Sequence, residues 1–256
     1  MTRWIRFEHD HAVGFGTLIG DMITVHEGSM FEAPMPSGAV LPLDLVTPLA
    51  PTAAGKMVAL WNNSRSVAAK LNQAIPPEPL YFIKANGSYL GTGGVIRKPP
   101  SYDGKVVFEG ELGIVIGREC GAMSAARSDA CIFGYTCIND VTAIEIVKRD
   151  PSFQQWTRAK SFDTFGVFGP VVATGLDPMS LSIRTLLNGQ ERQCYPVGDL
   201  IFQPVEIVRA IAQDLTLHAG DVVCCGTSVG VGSMKPGSTV EVIIDGIGTL
   251  HNRYEA

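Results

Sequence analysis

The sequence predicts a β-rich α+β protein, because segments with the pattern of strands far outnumber segments with the pattern of helices. Short alternating or apolar runs recur along the chain, and turn residues separate them. The 28 glycines and 16 prolines favour tight turns and bulges. With 256 residues, 46% of them hydrophobic and 18% charged, the chain can bury one sizeable core and leaves room for a second small domain.

A small N-terminal β module is predicted before the first proline-rich connectors. Polar and apolar side chains alternate over three segments, residues 3–9, 13–18 and 21–27. Proline-rich stretches at 34–36 and 48–51 follow, and these disfavour helix and suit a linker. We therefore place a boundary near residue 52: residues 1–52 form a small β domain with its linker, and residues 53–256 form the catalytic domain.

The larger domain is predicted to consist mostly of strands. Segments with helical character are 64–72, 140–149 and 204–216, and the last of these carries Ile207, Val208, Ile211 and Leu215 at helical spacing. The predicted strands are residues 57–61, 79–84, 105–117, 131–138, 166–174, 182–187, 221–225 and 239–250.

Charge and composition argue against several classes of function. The formal net charge is −5 and the longest basic cluster is Lys148-Arg149, so no basic field would attract a nucleic acid. No apolar run is long enough to span a bilayer, and residues 1–11 lack the pattern of a signal peptide. The six cysteines include no C-x-x-C pair. We expect reduced thiols and a cytoplasmic protein.

An acidic cluster is the strongest chemical feature of the sequence. On a strand, Glu109 and Glu111 share one face, and without a cation two neighbouring carboxylates repel each other. A third carboxylate, Asp140, follows the strand-like residues 135–138. If the three converge, their oxygens select Mg²⁺ or Mn²⁺, with Ca²⁺ as a weaker candidate, over zinc.

Spacing alone leaves other interpretations of these acids open. Asp140 stands where a helix would begin, and Asp is a favoured helix N-cap. A Glu-x-Glu pair is also common on a solvated edge strand. None of the five histidines stands at ligand spacing to the acids.

A second motif matches the G-x-S-x-G pattern of serine hydrolases. It comprises residues 226–230 with Ser228 at its centre, and Asp245 and His251 follow in the chain order of an α/β-hydrolase. The pattern needs a strand followed by a helix, whereas residues 231–237 read as a loop. We interpret the motif as a turn, or as a glycine loop whose N–H groups hold an anion.

Several motifs in order resemble the fumarylacetoacetate hydrolase family. They are Phe-Glu-Gly-Glu-Leu at 108–112, Gly-Tyr-Thr-Cys-Ile-Asn-Asp-Val-Thr-Ala at 134–143, Lys-Ser-Phe-Asp-Thr-Phe at 160–165 with Gly169-Pro170, Asn188-Gly189, and Gly220-Asp221 through Gly226-Thr227 to 230–232. Order and spacing agree over residues 57–252.

This resemblance implies a mixed β-sandwich roll, usually dimeric, with Mg²⁺ or Mn²⁺ held by Glu109, Glu111 and Asp140. It also implies that Lys160 lies beside the metal and that the loop 226–232, with Gly226 and Thr227, contacts the substrate carboxylate. The N-terminal module resembles that of bacterial members acting on intermediates of aromatic degradation.

The chain departs from the family pattern at the lid. Many members read Asn-Tyr-x-x-His-x-x-Glu, whereas residues 62–69 read Asn-Asn-Ser-Arg-Ser-Val-Ala-Ala, so the His-Glu pair that would activate water is missing. The arginine common after Thr-Ala is Ile144 here. A contact to the substrate carboxylate would then be lost or move to Arg65, Arg158 or Lys84, with Ser66 in the lid.

The resulting first hypothesis is hydrolytic C–C cleavage of an acylpyruvate-type 2-oxo acid through a metal-stabilised enolate. Decarboxylation or enol–keto isomerisation is the close alternative, because Ser66 and Ala69 replace the His-Glu pair. A metal-binding protein with reduced catalysis is a third. Lys160 is either a proton shuttle or the partner of Glu109 or Glu111 in an ion pair. The expected partners are a small 2-oxo acid and a second copy of the chain, not nucleic acid or membrane.

Overall fold

Strands dominate the computed structural model, which describes residues 1–122 and 125–256. They account for 47% of the residues and helices for 17%, so the predicted β-rich α+β class is confirmed. Among the described residues, no helix is long and apolar enough to cross a membrane.

The N-terminal strands form an antiparallel meander. The first connection is a two-residue turn in which Asp10 and His11 both have positive φ, the conformation that a tight hairpin requires. The strands are β1 (Thr2–His9), β2 (Ala12–Ile19), β3 (Met22–Ser29), β4 (Glu32–Pro42) and β5 (Thr47–Pro48).

Fifteen further strands and four α-helices follow in the described residues. The strands are β6 (Met57–Trp61), β7 (Leu80–Lys84), β8 (Tyr89–Leu90), β9 (Val95–Arg97), β10 (Val106–Phe108), β11 (Gly110–Ile116), β12 (Ile132–Asp140), β13 (Thr142–Ala143), β14 (Gly166–Thr174), β15 (Ser182–Leu187), β16 (Gln190–Pro196), β17 (Val222–Cys224), β18 (Gly232–Ser233), β19 (Thr239–Ile244) and β20 (Gly248–Glu255). The helices are α1 (Arg65–Leu71), α2 (Ile144–Val147), α3 (Trp156–Lys160) and α4 (Pro204–Asp214). Short 3₁₀ helices cover Leu43–Leu45, Asn86–Ser88, Ala125–Cys131, Pro178–Ser180 and Val197–Asp199.

A large sheet with the order β4-β3-β2-β1-β14-β12-β11-β17-β6-β7 forms the frame of the molecule. A five-stranded sheet, β16-β15-β19-β20-β9, packs against it. Leu112 and Ile114 of the large sheet join Ile183 and Val242 of the smaller one in a single buried cluster. Val115, with the opposite parity on β11, belongs to a second cluster, so both faces of this strand are buried, as its apolar run predicts.

The N-terminal module continues the large sheet. Thr2 pairs with Thr174, and Trp4 pairs with Val172, so β1 lies directly beside β14. Ile5 and Phe7 of the same strand belong to the main buried cluster. The boundary near residue 52 stays a proposal, and the strands before it share a sheet and a core with the strands after it.

Two of the helices form where the sequence places them. Ser64 caps α1 by accepting a hydrogen bond from the Val67 N–H at 3.1 Å, and the helix ends at Asn72 in the left-handed conformation. Helix α4 buries Ile207, Val208 and Ile211, which confirms the predicted apolar face.

The predicted helix over 140–149 is wrong. Strand β12 continues through Asp140, which pairs with Gly166 of β14, and only Ile144–Val147 is helical. Asp140 is therefore a strand residue and not a helix N-cap. Pairing between strands overrides local propensity here, because the backbone N–H of Asp140 donates to the Glu109 carbonyl at 2.9 Å.

Two predicted strands are each divided in the structure. Residues 105–117 form β10 and β11 in different sheets, with Glu109 at the break between them. Residues 239–250 form β19 and the start of β20, joined by a turn in which Gly246 has positive φ. In both cases the backbone changes direction between the two strands, and an alternating pattern of polar and apolar residues does not predict such a change.

Candidate active site

Three carboxylates converge at the ends of the central strands. Glu109 lies between β10 and β11, Glu111 is on β11, and Asp140 ends β12. One oxygen of each lies within 4.8 Å of the corresponding oxygens of the other two. The pairing of β11 with β12 creates this proximity, since Gly110 is opposite Asn139 and Glu111 is opposite Ile138.

Burial makes this cluster costly without a cation. Glu111 and Asp140 are almost wholly buried, and 15% of the Glu109 side chain is exposed. Burial raises the pKa of Glu111 well above its ordinary value, and the charge of Asp140 raises it further against the opposing charge of Lys160.

One oxygen of Glu111 provides a direct test of whether a metal ion fits. The Gly226 N–H donates to Oε2 at 2.8 Å, whereas the buried Oε1 has no hydrogen-bond partner among the described residues. A buried carboxylate oxygen without a donor is expensive. Three converging carboxylates with such an atom are the donor set of a hard divalent cation, so the cluster can bind a divalent metal.

Two buried lysines approach the same cluster. The Lys160 ammonium lies 2.5 Å from Asp140 Oδ2 and 2.9 Å from Glu109 Oε2, and Lys84 donates to Asp140 Oδ1. Each carboxylate oxygen has two lone pairs, so these contacts leave capacity for a metal. The ion pair between Lys160 and Glu109, which the sequence left open, is present.

The electrostatic balance favours charged forms of Asp140 and Lys160. Burial raises the pKa of Asp140, but the charges of Lys160 and Lys84 outweigh it and hold that pKa below its ordinary value. Burial lowers the pKa of Lys160, but Asp140 and the two glutamates outweigh it and raise that pKa. Lys160 is therefore an ammonium group at the edge of the cluster.

A cavity of about 250 Å³ opens onto Glu109 and Lys160. Apolar side chains form most of its walls, so a bound molecule is shielded from much of the solvent. Its lining consists of Leu60, Trp61, Asn62, Asn63, Ser64, Val67, Lys70, Leu71, Gln73, Glu109, Ile144, Trp156, Lys160 and residues 226–231.

The glycine loop, residues 226–232, forms one wall of the cavity. The Thr227 hydroxyl donates to the Gly110 carbonyl at 2.9 Å and accepts from Gln193 Nε2 at the same distance. Gly226 has φ of +95°, and a side chain there would crowd Asn63. Gly226 and Thr227 thus lie beside the acids, and the predicted contact of this loop with the substrate carboxylate stays a prediction.

The serine-hydrolase interpretation fails on its structural context. The segment after β17 leads through a loop into β18 and not into a helix, which confirms the loop prediction. Ser228 donates to Asp199 at 2.9 Å. His251 lies on β20, where its backbone carbonyl accepts from the Gly93 N–H.

Four cations or hydroxyls considered for the substrate carboxylate lie outside the cavity lining. Lys84 is fully buried on Asp140. Arg65 is exposed and donates to the Ile201 carbonyl, and Ser66 donates to Asp199 at 2.6 Å. Arg158 is exposed and donates to Gln155. Direct substrate contacts by these four residues stay predictions, and none of the four lines the cavity.

Sequence reasoning missed several residues at the cavity. Lys70 stands three positions after Val67 on the predicted helix, and helical spacing would have placed both on one side. Trp156 lies on a helix of five residues, too short for periodicity to predict. Gln193 reaches the loop from β16, a contact across 34 positions that no local pattern reports.

Comparison with known protein families identifies the relationship of the chain. Residues 56–255 match the model described as fumarylacetoacetate (FAA) hydrolase C-terminal. The chain belongs to the fumarylacetoacetate hydrolase family. Residues 2–51 match a separate model described as Rv2993c-like, N-terminal. The predicted family and its fold are confirmed, and members of this family are enzymes that include hydrolases, isomerases and tautomerases.

Three relatives illustrate the range of the family. Protein Rv2993c of Mycobacterium tuberculosis is 40% identical over 87% of this chain and 83% of its own length. The crystal structure of 2-hydroxyhepta-2,4-diene-1,7-dioate isomerase from Mycobacterium marinum has a TM-score of 0.90 at 36% identity, covering 100% of this chain and 98% of that chain. Oxaloacetate tautomerase YisK of Bacillus subtilis is 31% identical over 79% of this chain and 70% of its own.

Proposed function

We propose that this chain is a divalent-metal-dependent tautomerase that interconverts the keto and enol forms of a small 2-oxo acid. The observation that carries the proposal is the set of charged groups at the cavity. Among the described residues that line it, these are Glu109, Lys160 and Lys70. Hydrolysis needs a further base within reach of a water molecule, whereas tautomerisation needs only one site that moves a proton.

Glu109, Glu111 and Asp140 would hold the metal, and Mg²⁺ or Mn²⁺ suits their oxygens best, with Ca²⁺ as a weaker candidate. When bound, the cation would polarise the 2-oxo group and stabilise the negative charge of the enolate. The unpartnered Oε1 of Glu111 supports this assignment.

The side chains around the acids supply the remaining parts of the reaction. In the enol-to-keto direction, Lys160 Nζ would give a proton to C3 and then take the proton of the 2-hydroxyl, which restores the ammonium group. The same ammonium keeps Glu109 and Asp140 in place. The apolar wall of Trp61 and Trp156, whose ring centroids are 5.6 Å apart, keeps bulk water from the substrate. This exclusion favours a proton shift over attack by water.

The substrate class we propose is a 2-oxo dicarboxylic acid. Lys70 lines the cavity, and its side chain has no hydrogen bond or ion pair to the described residues, so its charge is available for a second carboxylate. Two of the relatives support this choice by name, one as an oxaloacetate tautomerase and one as a dioate isomerase.

Hydrolytic cleavage of an acylpyruvate, our first hypothesis from the sequence, stays a prediction, as do decarboxylation and a part in aromatic degradation. Dimerisation and a cytoplasmic location are likewise proposals. A protein that binds metal and ligand without turnover is the alternative from another class. The same assay separates these possibilities, because each predicts a different product.

The test follows oxaloacetate and acetopyruvate with the Mg²⁺-loaded or Mn²⁺-loaded protein. We expect the enol absorbance of oxaloacetate to decay faster with no pyruvate or carbon dioxide formed, and EDTA to abolish the effect. Glu109→Gln should lower activity and Mn²⁺ affinity by at least about 100-fold, because one of three anionic ligands is lost. The control Glu191→Gln, at an exposed ion pair with Arg184, should retain both. Full activity in metal-free Glu109→Gln protein would refute the proposal.

A further inference from the structure

Asp199 lies at the end of the 3₁₀ helix Val197–Asp199 and contacts two separate walls of the cavity. Its Oδ2 accepts hydrogen bonds from the hydroxyls of Ser64 at 2.6 Å and Ser228 at 2.9 Å. Its Oδ1 accepts from the Ser66 N–H at 3.2 Å and the Ser66 hydroxyl at 2.6 Å. One carboxylate therefore binds three serines.

These serines belong to segments far apart in the sequence. Ser64 caps α1 and Ser66 lies in its first turn, whereas Ser228 is in the glycine loop. Both segments line the cavity. The hydroxyl oxygens of Ser64 and Ser228 are 3.2 Å apart, so the helix and the loop meet at this carboxylate.

The strength of this contact comes from the charge on Asp199. Its donors in the described structure are hydroxyls and one amide, with no ion pair to a lysine or arginine. Hydrogen bonds to an ionised acceptor are shorter and about twice as strong as neutral ones. Removing the carboxylate would leave three serines without their shared partner.

We infer that Asp199 is a positioning residue that fixes α1 against the glycine loop and thereby shapes the cavity for the 2-oxo acid. The inference rests on the proposed function for the identity of the ligand. Asp199 touches none of the three metal-binding acids. It acts through the helix that carries Val67 and Lys70 and through the loop that carries Thr227.

This arrangement predicts an effect on substrate affinity rather than on metal affinity. A preformed cavity spares the ligand the cost of ordering its walls. The loop also donates the Gly226 N–H to Glu111, but Asn63 Nδ2 donates to the neighbouring Cys225 carbonyl at 2.7 Å, a contact that does not use the Asp199 carboxylate. The metal ligands should therefore stay in place when Asp199 is changed.

The first experiment measures KM, kcat and Mn²⁺ affinity in Asp199→Ala. We expect KM for oxaloacetate to rise at least about tenfold, since charge-assisted hydrogen bonds are lost, with kcat and Mn²⁺ affinity changed less than about threefold. The control is Asp177→Ala, because Asp177 accepts from the Met179 N–H at 3.0 Å and caps a 3₁₀ helix outside the cavity lining. An unchanged KM, or an equal rise in the control, would overturn the inference.

If Asp199→Ala does not fold, variants with smaller changes test the same contact. Ser66→Ala removes one hydroxyl donor on the helix side, where Ser64 and the Ser66 N–H still bind Asp199. Ser228→Ala removes the donor on the loop side, so each should raise KM by less than Asp199→Ala does. Asp199→Asn keeps a carbonyl oxygen that accepts on one side and should restore part of the affinity. Wild-type KM in both serine variants would contradict the assignment.

Hydrogen exchange separates this inference from the proposed function. If Asp199 joins the two walls, Asp199→Ala should speed amide exchange in both α1 and residues 226–232, and Asp177→Ala should change neither. Pyruvate serves as the binding probe for the Mn²⁺-loaded protein. Failure of the wild type to bind pyruvate or to act on oxaloacetate would refute the proposed function alone. Unchanged amide exchange in Asp199→Ala would instead refute the role of Asp199 in joining α1 to the glycine loop.

Discussion

At the scale of single residues, Asp140 and the two lysines on it illustrate why the site is rigid. Lys84 is fully buried, and its ammonium contacts one oxygen of Asp140 while Lys160 contacts the other. Charges inside a protein persist only when they are paired. The position of Asp140 therefore depends in part on Lys84, a side chain that does not line the cavity.

Lys84→Met should leave Asp140 with one cation in a buried setting. We expect the free energy of unfolding, measured in urea titrations, to fall by about 3 kcal/mol. We also expect the Mn²⁺ affinity to differ from that of the wild type. Lys56→Met is the matched control, because Lys56 forms a 2.5 Å ion pair with buried Asp221 away from the cavity. That variant should lose stability while its Mn²⁺ affinity stays at the wild-type level; equal Mn²⁺ affinity in both variants would argue against a special function of Lys84.

Lys70→Glu tests the proposed second carboxylate of the substrate. We expect KM for oxaloacetate to rise about tenfold, because an attractive charge becomes repulsive, and pyruvate affinity to change far less. The control Lys98→Glu reverses a charge whose ammonium binds the Asp103 carbonyl instead of the cavity. Equal losses for the dicarboxylic and monocarboxylic acids would show that Lys70 does not select between them.

The acids and Lys160 could be predicted from the sequence, whereas the contact between Asp199 and Ser64 could not. Glu109 and Glu111 are two residues apart, so strand periodicity relates them, and the ordered family motifs add Asp140. Asp199 and Ser64 are 135 positions apart, and no periodic pattern connects them. Contacts of this kind follow from the packing of the whole chain.

At the scale of elements, the predictions succeeded where a local pattern is long. Helix α4 has eleven residues with one apolar face, and β14 matches its predicted bounds. Helices α2 and α3 have four and five residues, lengths at which isolated helices are unstable and tertiary packing decides the structure. The failed helix at 140–149 lies in the same region.

The attachment of α1 to Asp199 should depend on pH. Burial raises the pKa of Asp199, but hydrogen bonds from Ser64, Ser66 and Ser228 outweigh it and hold that pKa below its ordinary value. The stabilisation is therefore present above the unfolded-state pKa of about 3.9 and is lost as pH falls through the lower folded-state pKa.

Urea midpoints of the wild type and Asp199→Asn, measured from about pH 6 down to about pH 3, check this dependence. We expect the wild type to be more stable at the upper end and the difference to shrink toward the lower end. A difference that stays constant with pH would mean that ionisation of Asp199 contributes nothing to the attachment of the helix.

At the scale of the whole molecule, the N-terminal strands extend the large sheet and share its core. Deletion of residues 1–52 would remove Ile5 and Phe7 from the core and expose the edge of β14 that pairs with β1. An exposed edge strand promotes association. We expect the truncated protein to aggregate in size-exclusion chromatography; a folded, monodisperse product would instead support the division at residue 52.

The balance of formal charge at the site has a consequence for the order in which ligands arrive. Three carboxylates face the ammonium groups of Lys84 and Lys160, so the cluster has one formal negative charge when all three are ionised, as metal binding requires. A divalent cation reverses that sign to one positive charge. We therefore expect electrostatics to set the order of binding, with a cation attracted first and an organic anion afterwards. On the proposed function, the two lysines make the metal-loaded site cationic, and we expect the metal to bind before the 2-oxo acid.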